Sequence, residues 1–126
     1  MALSPMLLAR GLAAGRLALG VGLMAAPTPL SRGWLGEVAE QPAGQVAMRA
    51  LGVRDAILGG LTLHTLSHPE VGPRWMATCA VADTVDFAAT VAGRKGLPPQ
   101  AAGVIALAGG SAVAGFALAA ALKRAG

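Results

Sequence analysis

Charged residues in the middle of long apolar segments restrict the folds open to this chain most strongly. Arg54 and Asp55 lie in the segment MRALGVRDAILGGLTL, and Asp83 and Asp86 lie in the following segment MATCAVADTVDFAATVAG. Charges inside a membrane are seldom tolerated without a partner. The sequence therefore predicts that these side chains pair with charges on neighbouring helices.

The composition favours a bilayer over water as the surrounding medium. Hydrophobic residues make up 55% of the 126 residues and charged residues 13%, whereas an ordinary soluble domain has about 25% charged residues. A soluble protein of this size would need more charged residues on its surface. We expect a single integral membrane domain, residues 1–126, whose main partner is the lipid bilayer.

Four apolar segments are each long enough to cross a bilayer as a helix. The expected fold class is all-α, a four-transmembrane-helix bundle with a short interfacial helix or loop between helices 1 and 2. The last segment contains no charged residue. For the first segment, a cleaved signal peptide is the competing interpretation, although Arg16 lies late for one. The expected helices are residues 6–26, 44–66, 74–93 and 101–122.

The intramembrane charges are expected to form one buried network. Each charge left unpaired at the bilayer centre would cost about 2.5–3.5 kcal/mol on insertion scales. Such a network can fix which helices meet and in what register, or it can mark the path of a proton or substrate. The sequence leaves both roles open. The expected members are Arg16, Arg49, Arg54, Asp55, Asp83 and Asp86.

Small residues at helical spacing predict the surfaces on which the helices pack, because they let backbones approach closely in lipid. Two tryptophans, Trp34 and Trp75, are expected to anchor the bundle at opposite membrane faces. The expected packing positions are Gly11, Gly15, Gly52, Gly59 and Gly110.

Other classes of function find little support in the sequence. The basic residues are scattered and not interleaved with aromatic residues, so no nucleic-acid partner is expected. His64 and His68 are four residues apart, but Pro69 turns the chain there and a third ligand is missing. Since no motif for nucleophilic, phosphate or metal chemistry occurs, we expect no enzyme activity, no metal and no cofactor.

Two segments carry a resemblance to known proteins. The sequence RALGVRDAILG runs from Arg49 to Gly59, and CAVADTVD runs from Cys79 to Asp86. With RLALG in the first helix and WLG in the following connection, they resemble small bacterial four-helix membrane proteins of unknown function, similar in size and layout to the DoxX-like group. The resemblance implies a four-helix fold and no established reaction.

Three functional hypotheses follow. The first is an accessory or oligomeric membrane subunit, whose partner is a second copy or another membrane protein. The second is a small proton-coupled transporter acting as an oligomer, and the third is a partner in membrane redox chemistry using Cys79. The expected location is the cell membrane, inner or plasma, with several passes. Basic residues are divided equally between the two sides, and an inside N-terminus is the orientation adopted.

Overall fold

The computed structural model describes residues 4–125, and this part of the chain is helical with short connections. The all-α class expected from the sequence is confirmed over these residues. Two 3₁₀ turns, Gly36–Glu40 and Arg94–Gly96, join longer helices. The helices are α1 Pro5–Ala25, α2 Pro27–Leu35, α3 Pro42–Thr65, α4 Val71–Gly93 and α5 Ala101–Ala125.

Prolines begin several of these helices. Pro5, Pro27 and Pro42 each occupy a first-turn position, where the missing N–H has no intrahelical partner to lose. Helix α4 begins at Val71, three residues before the expected start, because Pro73 is accommodated in its first turn. Helices α1, α3 and α4 therefore begin one to three residues before the expected positions.

Neighbouring long helices run antiparallel. A Cβ atom added at Gly52 would lie 2.6 Å from the carbonyl oxygen of Gly20, and one at Gly59 would lie 2.6 Å from the backbone nitrogen of Leu17. These contacts pair the end of α1 with the middle of α3, and the middle of α1 with the later part of α3. Residue numbers increase along one helix as they decrease along the other, so α1 and α3 pack antiparallel. Their backbones are almost in contact.

Helices α4 and α5 form the second antiparallel pair. A Cβ atom at Gly115 would lie 2.9 Å from that of Ala80, and one at Gly109 would lie 3.0 Å from the ring of Phe87. Helix α3 packs against α4, which joins the two pairs into a bundle. Over residues 4–125, eight of the 14 buried hydrophobic residues are alanines, as expected where close approach of helices contributes more than the burial of large side chains.

Helices α1 and α5 are long and apolar enough to cross a membrane. They meet at one end of the bundle, where Ala9, Ala119 and Leu122 form a buried cluster with Leu66 and Met76. Towards the other end they separate, and α2 lies between them there. This separation opens a cleft in the side of the bundle.

Candidate binding cleft

Two arginines and three aspartates form a continuous ion network across α1, α3 and α4. Arg16 of α1 donates to Asp55 of α3, with 3.3 Å between Nη1 and Oδ1, and to Asp83 of α4 through Nη2. Arg54 of α3 donates to the same oxygen of Asp55 at 3.2 Å and to Asp86 of α4 at 2.6 Å. Asp55 therefore links the two arginines.

The network lies near mid-height of the bundle and is largely enclosed. Arg16 is close to the middle of α1, and Asp83 is close to the middle of α4. Side-chain exposure is 8% for Arg16 and 6% for Asp55, but 35% for Arg54. The Arg16 side of the network is thus buried, whereas the Arg54 side reaches the edge of the bundle.

Arg49 lies outside the network, contrary to the expectation from sequence. Its side chain is exposed, and its Nε donates to the backbone carbonyl of Met24 at 3.2 Å. Arg49 precedes Arg54 by five residues, which corresponds to about 140° around a helix. The two arginines therefore point to different sides of α3.

A cleft of about 590 Å³ has this network as its floor. Arg16, Asp55, Asp83 and Asp86 line its base, while the walls are largely apolar and come from α1, α2 and α5. The rim residues Leu19, Leu30 and Leu107 line the cleft and are also exposed, which shows that it opens between α1 and α5. Ligand sites commonly have this size, with apolar walls and a few converging polar groups.

The predicted packing glycines fall into two groups. Gly52 and Gly59 lie in the tight contact between α1 and α3 described above. Gly11 and Gly15 instead face the cleft, and an added Cβ atom at either would meet nothing within 4 Å. Gly110 is exposed and equally open. The structure therefore does not bring Gly11, Gly15 or Gly110 into a helix contact within one chain.

The two tryptophans lie at opposite ends of α4. Trp75 belongs to its first turns, while Trp34 of α2 donates from Nε1 to Thr90 Oγ1 at 3.3 Å near its C-terminal end. The fifteen residues between Thr90 and Trp75 correspond to about 22 Å along the helix axis. Trp34 also lines the cleft, a contact that the sequence did not indicate.

The remaining reactive side chains do not assemble into a metal centre. His64 and His68 are both exposed, and residues 4–125 contain no group of three histidine, cysteine or acidic side chains able to hold a metal ion. Cys79 is buried at 4% exposure, with its sulfur 3.3 Å from Thr62 Oγ1. The cleft is therefore the main candidate for a functional site.

Comparison with known proteins adds no further information on the site. No family model, curated protein or solved structure matches the chain.

Proposed function

We propose that this protein is a multi-pass membrane protein that binds a small hydrophobic molecule from the bilayer. The observation that carries the proposal is the cleft, which has a buried charge network at its base and an apolar rim open between α1 and α5. A molecule moving laterally in the hydrocarbon region could enter through such an opening. Water-soluble ligands would have to cross an apolar rim to reach the same floor.

The distribution of polarity over the bundle supports four membrane spans. Large apolar side chains are exposed on α3 and α4 as well as on α1 and α5. On α3 these include Val46 and Ile57, which are 69% and 55% exposed, and on α4 Val85, which is 59% exposed. The mid-helix aspartates Asp55 and Asp83 point inward. Polar groups inside and apolar groups outside suit a lipid environment.

The lengths of α3 and α4 are also compatible with spanning. They contain 24 and 23 residues, or about 36 and 34 Å at 1.5 Å per residue, against a hydrocarbon core of about 30 Å. The proposed location is the cell membrane, with the N-terminus inside. Four spans also agree with the layout implied by the resemblance to DoxX-like proteins.

An accessory or oligomeric subunit is the second candidate function. Ala102, Ala106 and Gly110 leave a stripe of small, exposed residues on α5. Small residues at this spacing support helix contacts in a bilayer, so this face suits a second copy or another membrane protein. The redox alternative has less support, because Cys79 is buried away from the main cleft.

Fluorescence of Trp34 provides a direct test of binding. The chain has two tryptophans, so Trp75→Phe leaves Trp34 as the single reporter at the cleft. In detergent, the neutral quencher 1-bromododecane should quench it along a saturable curve. Trp34→Phe, which leaves Trp75 outside the cleft, should show only linear, non-saturable quenching.

A pair of neighbouring substitutions tests whether the binding site is the cleft. Gly15→Phe places a ring in the open space of the cleft and should remove the saturable component. Ala14→Phe, one residue away on an exposed face outside the cleft, should retain it. Linear quenching in the starting protein, or equal quenching in both variants, would contradict binding at this site.

A further inference from the structure

We propose that the cleft takes a hydrophobic monovalent cation in exchange for one proton. This inference depends on the proposed function, since it names the class of molecule bound in the same cleft. It follows from the charge balance of the network, from carboxylate oxygens left without partners, and from the apolar walls. Each of these three observations is independent of the others.

The network carries one more negative charge than positive. Arg16 and Arg54 supply two positive charges, while Asp55, Asp83 and Asp86 supply three negative charges when ionised. An uncompensated charge is unfavourable at this depth. The surplus can be removed by one proton on a carboxylate or by one bound cation, so the two compete for the same charge.

Two carboxylates offer oxygen atoms for a ligand. Asp55 accepts its hydrogen bonds at Oδ1, and Asp83 accepts its hydrogen bond at Oδ2. The other oxygen of each carboxylate, Asp55 Oδ2 and Asp83 Oδ1, has no partner among residues 4–125. Both residues are more than nine-tenths buried, at 4% and 7% exposure, and both line the cleft. Among residues 4–125, Arg54 Nε is the only fully buried side-chain nitrogen or oxygen without a hydrogen-bond partner. The two unpartnered carboxylate oxygens therefore keep some exposure to the cleft.

The surrounding elements provide no further cation to neutralise this pair. Helix α1 presents Arg16, α3 presents Arg54, and α4 presents Asp86 and, one turn away, the thiol of Cys79. Helix α5 contributes the Ser111 hydroxyl, and α2 contributes the indole of Trp34. Over residues 4–125, the cleft lining contains no lysine or histidine.

The exchange is a binding equilibrium with a simple balance. One carboxyl O–H of Asp55 or Asp83 loses its proton to water, and the cation takes its place beside the carboxylate, so the charge of the site is the same before and after. No covalent bond to the ligand forms. A bare metal ion is disfavoured because the walls are largely carbon and offer few oxygen ligands, whereas a cation with an apolar body matches both walls and floor.

Tetraphenylphosphonium and tetraphenylborate distinguish charge from shape, since they have nearly the same form and opposite charge. Equilibrium dialysis of the detergent-solubilised protein should show saturable phosphonium binding at least tenfold tighter than borate binding. Phosphonium affinity should fall as the pH is lowered, and binding in weak buffer should release a proton. Equal binding of both ions, or binding independent of pH, would overturn the proposal.

Two substitutions should change phosphonium affinity in opposite directions. Asp83→Asn removes the surplus negative charge and should weaken binding at least tenfold, while Arg16→Gln increases the surplus and should tighten it. Ala14→Phe, outside the cleft, should leave it unchanged. A general loss of structure would weaken both variants alike, so saturable bromododecane quenching of Trp34 is measured on each to show that the cleft is intact.

The outcomes separate this inference from the proposed function. Saturable quenching by bromododecane without preferential phosphonium binding would overturn the cation assignment and leave the binding cleft supported. Loss of both signals in folded protein would overturn the proposed function itself. Weaker binding in folded Arg16→Gln would also refute the charge argument, because the added surplus must attract a cation.

Discussion

Arg54 and Asp86 are joined across α3 and α4 by two parallel hydrogen bonds. Nη1 lies 3.2 Å from Oδ1, and Nη2 lies 2.6 Å from Oδ2. This fork-to-carboxylate geometry is specific to arginine and links the two helices directly. Arg54 also reaches Asp55, so the pair belongs to the wider network and does not stand alone.

Substituting one residue of this pair should destabilise the protein more than substituting both. Asp86→Ala leaves Arg54 with one partner in a partly buried site, and we expect a loss of about 1–3 kcal/mol. The double variant Arg54→Leu/Asp86→Leu should recover most of that loss. Thermal unfolding in detergent, followed by circular dichroism, measures both values.

The exposed pair between Arg32 and Glu40 provides the control. Their side chains are 61% and 55% exposed, so Glu40→Ala should change stability by less than about 1 kcal/mol. A double variant at Arg54 and Asp86 that is no more stable than Asp86→Ala would show that the destabilisation has another cause.

Adjacent glycines in α3 should differ sharply in their tolerance of a side chain. The Cβ atom of Gly59→Ala would lie 2.6 Å from the backbone nitrogen of Leu17 and 2.8 Å from the carbonyl oxygen of Ala13. Backbone atoms cannot rotate aside, so α1 and α3 must separate and the protein should be destabilised. Gly60→Ala meets nothing within 4 Å and should be neutral or stabilising by up to about 1 kcal/mol. Equal melting temperatures for the two variants would contradict the close packing of these helices.

Membrane topology should alternate along the chain if all four long helices span. Reporter fusions after Gln41, after His68 and after Gln100 fall between long helices. Together with a fusion at the chain end, they should lie on alternating sides. The same side for the fusions after Gln41 and after His68 would leave α3 outside the list of spans. The same side for the last two fusions would exclude α5.

The thiol of Cys79 should be unreactive in the folded protein. It is 4% exposed and lies against Thr62, between α3 and α4, so N-ethylmaleimide should modify it only after unfolding in sodium dodecyl sulfate. Thr78→Cys in a Cys79→Ala background gives the control, because position 78 is exposed. Comparable rates at the two positions in folded protein, measured by mass spectrometry, would revive the redox hypothesis.

The helices could be predicted from the sequence because their signals are local. Long apolar segments bounded by Pro27, Pro73 and Pro98 already indicate where helices begin and end. The candidates for an ion network could be named for a similar reason, since a charge in the middle of such a segment needs a partner. The angular separation of Arg49 and Arg54 was also present in the sequence, and it would have placed Arg49 on another face.

The cleft could not be predicted, because it depends on how far two helices separate. Gly11 and Gly15 fit a small-residue packing pattern, yet small residues equally leave space where no helix follows. The assignment of partners depends on helix rotation in the same way. That Arg16 reaches both Asp55 and Asp83 is a property of the assembled bundle.

The sharing of one carboxylate oxygen by two arginines also affects how this sequence can change over generations. Substitution of Asp55 removes a partner from Arg16 and Arg54 at once, whereas substitution of Asp83 or Asp86 affects one arginine. Tolerated changes at position 55 would then require simultaneous changes on two helices. Among diverging copies of the gene, position 55 should be the slowest of the five to vary, and positions 54 and 86 should vary as a pair.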